Sequence, residues 1–380
     1  VTRRVARLTL TDFRNYASLI WLPPAGISVL HGPNGSGKTN LLEAISVLVP
    51  GRGLRAARAG ELTRHGAEGG WAVAVGLDDG TVLGTGIAGR DTGPERRSFR
   101  IDGVPPRNQA EVASLLAAVW LTPQMDRLFL EGPSGRRRFL DRLVFALEPA
   151  HAREIAAHDA SVASRNRLLA ENRQDAAWLA AVEAAVARHA VAATAARASL
   201  TRQLNEAAAR GASAPFPAAR LDLICPIAAH LAAHSALATE DWLRDALAAS
   251  RAYDRTNLST SLGAHRADIA LATEAGQPAQ SASTGQQKSM LLSLILNHAS
   301  LIGATRGAPP VLLLDEPLVH LDAAHRAALF AALARIRAQT LITGTDAEVF
   351  LPFADSVAGF ATGDAALNAD ARFGNAAPPA

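Results

Sequence analysis

The stretch "GPNGSGKT", Gly32 to Thr39, matches the pattern G-x-x-x-x-G-K-[ST] at every fixed position. It lies between "GISVLHG", which reads as a buried strand, and "TNLLEAISVLV", whose apolar residues recur at helical spacing. A strand, a glycine-rich turn and a helix in that order make a phosphate cradle. Gly32, Gly35 and Gly37 let the backbone curl so that its N–H groups face anionic oxygens, and the helix N-terminus adds positive potential. The alternative, a chance glycine-rich turn, does not account for the complete motif in this context. Gly32, Pro33, Asn34, Gly35, Ser36, Gly37, Lys38, Thr39 and Asn40 are therefore the candidate nucleotide residues. Lys38 is expected to reach the β and γ phosphates of ATP, and Thr39 to offer a hydroxyl to Mg²⁺.

Such a loop needs a carboxylate strand. "PVLLLDEPLVHLD" supplies it: Val311 to Leu314 are apolar, and Asp315 and Glu316 follow. Asp315 is expected to hold Mg²⁺, and Glu316 to act as the base for the attacking water. Asp322 is a candidate for a contact across an interface. Most of the chain separates Lys38 from Asp315, so a large insertion must lie between them.

The composition allows this. The chain has 380 residues, 49% hydrophobic and 19% charged, which suits roughly two globular domains. Net charge is +3 despite a pI near 9.6, so local clusters matter more than the overall balance. A single cysteine, Cys225, sits in the apolar run "LDLICPIA"; it excludes an internal disulfide framework, suggests a reducing, cytoplasmic setting, and is expected to be buried. His151, His158, His189, His230 and His234 are scattered through helical stretches and read as packing or surface residues rather than metal ligands. No signal peptide and no run of roughly 18 apolar residues is evident, so no membrane role is expected.

Coarse periodicity gives the organisation. "RLTLTDF" alternates like a half-buried strand, "WAVAVGLDDGTVLGTGIAG" reads as a hairpin around Asp-Asp-Gly, and "RSFRIDGVPP" offers another strand. From about Pro133 to Asp254 the pattern is helical, with Leu179, Val182 and Val186 as an example. "PFPAARLDLICP" interrupts it as a short strand or a connector. From Ser281 the α/β pattern returns: a long helix, the strand "PVLLLD", a helix from Ala323, the strand "TLITGTD" and "SVAGF" as the last strand. The closing "NAAPPA" reads as a frayed tail. The expected fold is α/β: an ABC-type P-loop ATPase head built from both chain ends, with an inserted, mainly helical domain. The expected divisions are 1–120, 121–265 and 266–380.

"SASTGQQKSMLLSLIL", Ser281 to Leu296, has two readings. Ser before an apolar helix is an ordinary N-cap. Its order, after a phosphate loop and before a carboxylate strand, also resembles the signature of ABC ATPases, in which Ser283, Gly285 and Gln286 face ATP held by a second subunit. Both uses exploit the same unsatisfied N–H groups. At about 1.5 Å per residue, an insertion of roughly 120 residues gives arms well under ~100 Å, too short for a chromosome-organising arm.

The stretches "LTDFRNY", "GPNGSGKTNLLEAI", "TPQMDRLFLEGPSGRRRFLDR", "LGAHRADI", "STGQQK", "LLLDEPLVHLD" and "ITGTD" run along nearly the whole chain and resemble the RecF family of bacterial recombination and gap-repair ATPases. That resemblance implies an ATP-dependent homodimer that binds DNA, hydrolyses ATP slowly, and acts with RecR and RecO to load recombinase at gaps. It implies that Arg14 and Asn15 contact the phosphates, and that Gln124 reaches the metal as the Gln-loop residue. The strand-end histidine of many ABC ATPases is replaced in "ITGTD" by Thr345 or Asp346. DNA is expected to be met through its phosphates by Arg52, Arg55, Arg58 and Arg64. Arg136, Arg137 and Arg138 are further candidates, with a structural role as the alternative. Few aromatics interleave with basic residues, which points to duplex backbone contact rather than base stacking. The competing reading is the nucleotide-binding subunit of an ABC transporter.

Overall fold

A computed structural model describes residues 3–88, 97–171 and 175–374. The chain divides into two compact units. The first comprises residues 1–126, 207–218 and 283–380, and the second 127–206 and 219–282. These limits differ from the sequence-based divisions mainly because the strand Asp268–Thr273 pairs inside the second unit, so the first resumes only at Ser283.

The first unit holds two sheets. An antiparallel sheet of five strands has the order β2-β1-β4-β5-β6, with β1 Val5–Phe13, β2 Tyr16–Trp21, β4 Trp71–Leu77, β5 Val82–Ile87 and β6 Ser98–Ile101. The hairpin expected around Asp-Asp-Gly is β4 and β5. Their alternating inward residues, Val73, Val75 and Leu83, join Leu8, Leu10 and Phe13 in one core. The second sheet has the order β13-β12-β3-β11-β10-β7, with β3 Ile27–His31, β7 Ala118–Leu121, β10 Val311–Leu314, β11 Thr340–Gly344, β12 Val357–Gly363 and β13 Ala366–Ala369. β12, β3, β11, β10 and β7 are parallel. Both faces of β3, β7 and β10 are covered, which is why these segments read as unbroken apolar runs. Val357 to Phe360 of "SVAGF" open β12, which is not the last strand. The short, largely exposed β13 follows it antiparallel, too brief and polar to give a period-2 signal. The tail Asn375–Ala380 lies outside the described residues.

In this unit α1 (Lys38–Ser46) follows β3, α2 (Gln109–Leu115) precedes β7, α9 (Thr284–Arg306) precedes β10, and α10 (Ala323–Ile336) follows it. α9 is buried along most of its length, so its apolar residues surround the axis instead of forming a stripe.

The second unit contains α3 (Pro133–Leu147), α4 (His151–Ala170), most of α5 (Ala176–Ala209), α6 (Pro226–Ala233), α7 (Ala236–Ala249) and α8 (Arg251–Thr256). "ARLDLI" in the interrupting segment is a strand, β8 (Ala219–Ile224), antiparallel to β9 (Asp268–Thr273). Val186, Ala190 and Val191 of α5 pack with Leu243 and Leu247 of α7. By length and composition α5 could cross a membrane, contrary to the expectation from apolar runs; 44% of its most apolar window is buried within the protein. Its hydropathy comes from alanine, and it carries Glu183, Arg188 and Arg197. Cys225 is buried, as expected, at the start of α6.

Candidate nucleotide-binding site

Because β3, β10 and β11 are parallel, the loops at their carboxyl ends lie along one edge of the sheet, where open α/β sheets bind ligands. The phosphate loop leaves β3. Gly32, Gly35 and Gly37 have φ of 145°, 81° and 106°. A Cβ on Gly37 would lie 2.6 Å from Asn15 Nδ2 and the Tyr16 hydroxyl, whereas one on Gly35 would meet nothing within 4 Å. Gly37 is therefore needed for packing, and Gly35 for conformation on the open side. Gly37 precedes α1 without a side-chain cap, so the helix's first N–H groups remain available to an anion. Pro33, Asn34 and Gly35 are exposed, while Ser36 is buried and its Oγ lies 2.7 Å from Thr362 Oγ1 of β12.

Lys38 is only 5% exposed. Its Nζ donates to the carbonyls of Gly32 (2.6 Å) and Pro33 (2.8 Å), curling back over the loop. Burial holds its pKa below the usual lysine range, although the nearby Glu316 and Asp315 carboxylates pull it up. Thr39 Oγ1 donates to Asp315 Oδ1 at 2.8 Å, so the two expected metal ligands meet. Thr343 of β11 donates to the same oxygen at 2.7 Å and accepts the Glu316 N–H at 2.9 Å. Glu316 has φ 49°, an uncommon conformation for a residue with a side chain and one found at functional sites.

Asn15 rests on the loop, its Nδ2 3.4 Å from the Ser36 carbonyl, and Asn40 Nδ2 donates to Asn15 Oδ1 at 2.7 Å. Arg14 turns instead to Glu43 of α1, with two bonds of 2.8 Å, and to the Glu61 carbonyl. Glu43 is fully buried and also takes Arg55, which bonds Asn40 as well. Arg64 pairs with Asp12 at 2.7 Å. Of the four arginines expected to meet DNA, Arg55 and Arg64 pair with carboxylates of this chain, and Arg52, Arg55 and Arg58 are exposed. Arg136 is buried and clamps Asp268 with bonds of 2.7 and 2.8 Å, and Arg137 bonds the Ala267 carbonyl, so the structural alternative describes both. Arg138 is exposed.

Gln124 is exposed on the 3-10 turn Pro123–Arg127 after β7, whose Leu121 pairs with Leu314 beside the carboxylates. Ser283 caps α9: its Oγ accepts the Gln286 N–H, and Gln286 Oε1 accepts the Ser283 N–H, a reciprocal capping box. A Cβ on Gly285 would lie 2.7 Å from the His320 carbonyl, so only glycine lets this turn lie against "LVHLD". Asp322 caps α10 through the His325 N–H at 2.8 Å. Thr345 is exposed past β11, and Asp346 accepts the Glu348 N–H. Sequence reasoning missed Thr343, Thr362 and Glu43, whose roles depend on strand register and on contacts between distant segments. A charged residue inside the apolar run "LLEAI" was the one available hint.

A glycine cradle, a lysine behind it, a hydroxyl–carboxylate pair and a second carboxylate at the strand end define an ABC-type P-loop ATPase. The donor set suits ATP and Mg²⁺: backbone N–H groups and Lys38 for phosphates, hard oxygens of Thr39 and Asp315 for the cation. Residues 4–366 match the RecF/RecN/SMC N terminal domain family. The chain is 43% identical to the DNA replication and repair protein RecF of Mesorhizobium japonicum, over 91% of this chain and 92% of that one. It is 43% identical to that of Rhizobium etli over 95% and 97%. A solved structure of RecF with ATP, described as a recombination mediator in the RecFOR pathway, superposes with a TM-score of 0.80 at 22% identity, covering 97% of this chain and 99% of that one. A Pyrococcus furiosus Smc head domain gives 0.51 at 16%, covering 97% and 96%. The chain belongs to the RecF family. These relatives side with the repair reading and against the transporter subunit.

Proposed function

We propose that this protein is a slow, DNA-stimulated ATPase that uses hydrolysis as a switch. Two copies bind ATP, close face to face, and hold duplex DNA near single-strand gaps, where they help RecO and RecR load recombinase. The names of the relatives support the pathway. The observation that carries the enzymatic reading is the meeting of Thr39, Asp315, Thr343 and Glu316 around a complete phosphate loop.

In this reading Lys38 leaves the loop carbonyls for the β and γ phosphates. Thr39 and Asp315 would hold Mg²⁺, with Gln124 reaching toward it, and the bound ion would supply positive charge against the negative charge that develops on the phosphates. Glu316 orients a water whose oxygen attacks the γ phosphorus. The bond to the β,γ-bridging oxygen breaks, ADP leaves, and Glu316 takes the water's proton. Ser283, Gly285 and Gln286 engage the γ phosphate bound to the other copy, with the N-terminus of α9 directed at the same charge. Loss of that phosphate removes what both copies share, and the dimer opens. Exposed Arg52 and Arg58 contribute phosphate contacts to DNA, so binding weakens steeply with salt and depends little on sequence.

The test is ATP hydrolysis at several protein concentrations, with and without duplex DNA. A specific rate that rises with concentration and with DNA supports shared sites in a DNA clamp. A rate proportional to protein and indifferent to DNA overturns that reading.

A further inference from the structure

Lys288 stands in the second turn of α9 and is 1% exposed. An ammonium so deeply buried is retained only where it is paired and hydrogen-bonded. Its Nζ donates to Asp126 Oδ2 at 3.2 Å and to the main-chain carbonyl of Glu316 at 2.8 Å. Asp126 lies on the same short 3-10 turn as Gln124. Its other oxygen, Oδ1, is buried with no hydrogen-bond partner among the described residues, so Lys288 is the cation this carboxylate faces.

Glu316 is held at both ends. Its N–H donates to Thr343 of β11, and its carbonyl accepts from Lys288 of α9. Between those two bonds the residue keeps φ at 49°, a conformation that persists only when the surroundings over-determine it. The helix supplying the second bond is the one whose start, at Ser283 and Gly285, is proposed above to engage the γ phosphate of the other copy.

We propose that Lys288 is a positioning residue for ATP hydrolysis, fixing the backbone of Glu316 and tying it, and the Gln124 turn, to the signature helix. This rests on the ATPase reading above and deepens it. When the start of α9 meets the nucleotide of a second copy, any movement of the helix is passed through Nζ to the base of its own copy. Readiness of one site then depends on occupancy of the other.

The test uses the full chain with Lys288→Met, Lys288→Arg and Asp126→Asn. Three quantities are read: kcat at saturating MgATP, affinity for a fluorescent ATP analogue, and ATP-induced dimerisation by light scattering. Lys288→Met should lower kcat roughly tenfold to a hundredfold, the scale of a misplaced catalytic group. Analogue affinity should stay within about twofold and the ATP dimer should persist, because Lys288 does not touch the phosphates. Lys288→Arg should recover part of the rate, and Asp126→Asn should lower kcat in the same sense but less. A normal kcat in Lys288→Met overturns the proposal, as does a parallel loss of rate and nucleotide affinity. If Lys288→Met does not fold, Asp126→Asn decides in the same way. If the unsubstituted chain hydrolyses no ATP, the ATPase reading falls first and takes this proposal with it.

Discussion

The two units bury charge for opposite ends. In the helical unit the networks are closed. Arg165, fully buried, bonds Glu183, Asp254, Thr260 and the Leu247 carbonyl, and Arg251 completes Glu183. Arg197 clamps Asp141, which also meets His151. In the ATPase unit Arg14 and Arg55 likewise close on Glu43, but the two charges at the site itself are held by neutral groups: Lys38 by two carbonyls, Asp315 by two hydroxyls. A closed network specifies a fold, whereas charges parked on neutral partners keep their strongest interaction in reserve for a ligand.

The contrast can be broken most sharply at Glu316. Glu316→Gln should lower kcat by about 10²–10⁴ while leaving folding intact, and the ATP-bound dimer should accumulate on size exclusion. Monomers alone in ATP would show that the site is not shared. In the helical unit, Arg165→Met should instead cost ~3–5 kcal/mol in urea unfolding, because Glu183 and Asp254 lose their buried counter-charge. A cost below about 1 kcal/mol would mean the network is not a stabilising centre.

Acid separates the units more gently. His158 is buried, accepts the Ala264 N–H at 3.2 Å, and has His265 5.3 Å away. Burial, then the charge of His265 when protonated, lowers its pKa from 6.5 to about 4, although Asp159 opposes this. With the folded pKa below the unfolded one, the stabilisation is complete above about pH 6.5 and is lost as pH falls through about 4. Thermal unfolding at pH 7 and pH 4 should differ by on the order of 2 kcal/mol, and His158→Gln should flatten that dependence.

The smallest effect separates the two uses of Ser283. Ser283→Ala should cost ~1 kcal/mol through the lost cap. Ser283→Asp preserves the cap but sets a carboxylate against the γ phosphate, so stability should hold while ATP-dependent dimerisation fails. Dimerisation unaffected by Ser283→Asp would reduce the signature to a helix start.

The parts legible in sequence were those whose chemistry needs fixed local spacing: the phosphate loop, Asp315 with Glu316, the cap at Ser283, and the hairpin β4–β5. What escaped depended on register. Leu314 pairs with Ile342, which brings the following residue, Thr343, to Asp315; nothing in "TLITGTD" alone announces that bond. Lys288 read as one more residue of "STGQQK" because its partners lie on two distant segments. A charge cluster in sequence also does not tell which guanidinium pairs with a carboxylate of the same chain, as Arg55 does with buried Glu43 and Arg64 with half-buried Asp12.

The place of β3 has a consequence for how the protein is made. Both of its neighbours in the sheet, β11 and β12, come from the far end of the chain. While the polypeptide is still leaving the ribosome, the strand bearing the phosphate loop has no partner on either side. At ~5–20 residues per second the wait is on the order of 15–60 s. The segments of the helical unit emerge in full during that interval. A chain interrupted before β11 has the entire phosphate motif but neither strand that flanks β3, so it should compete poorly with longer copies for ATP.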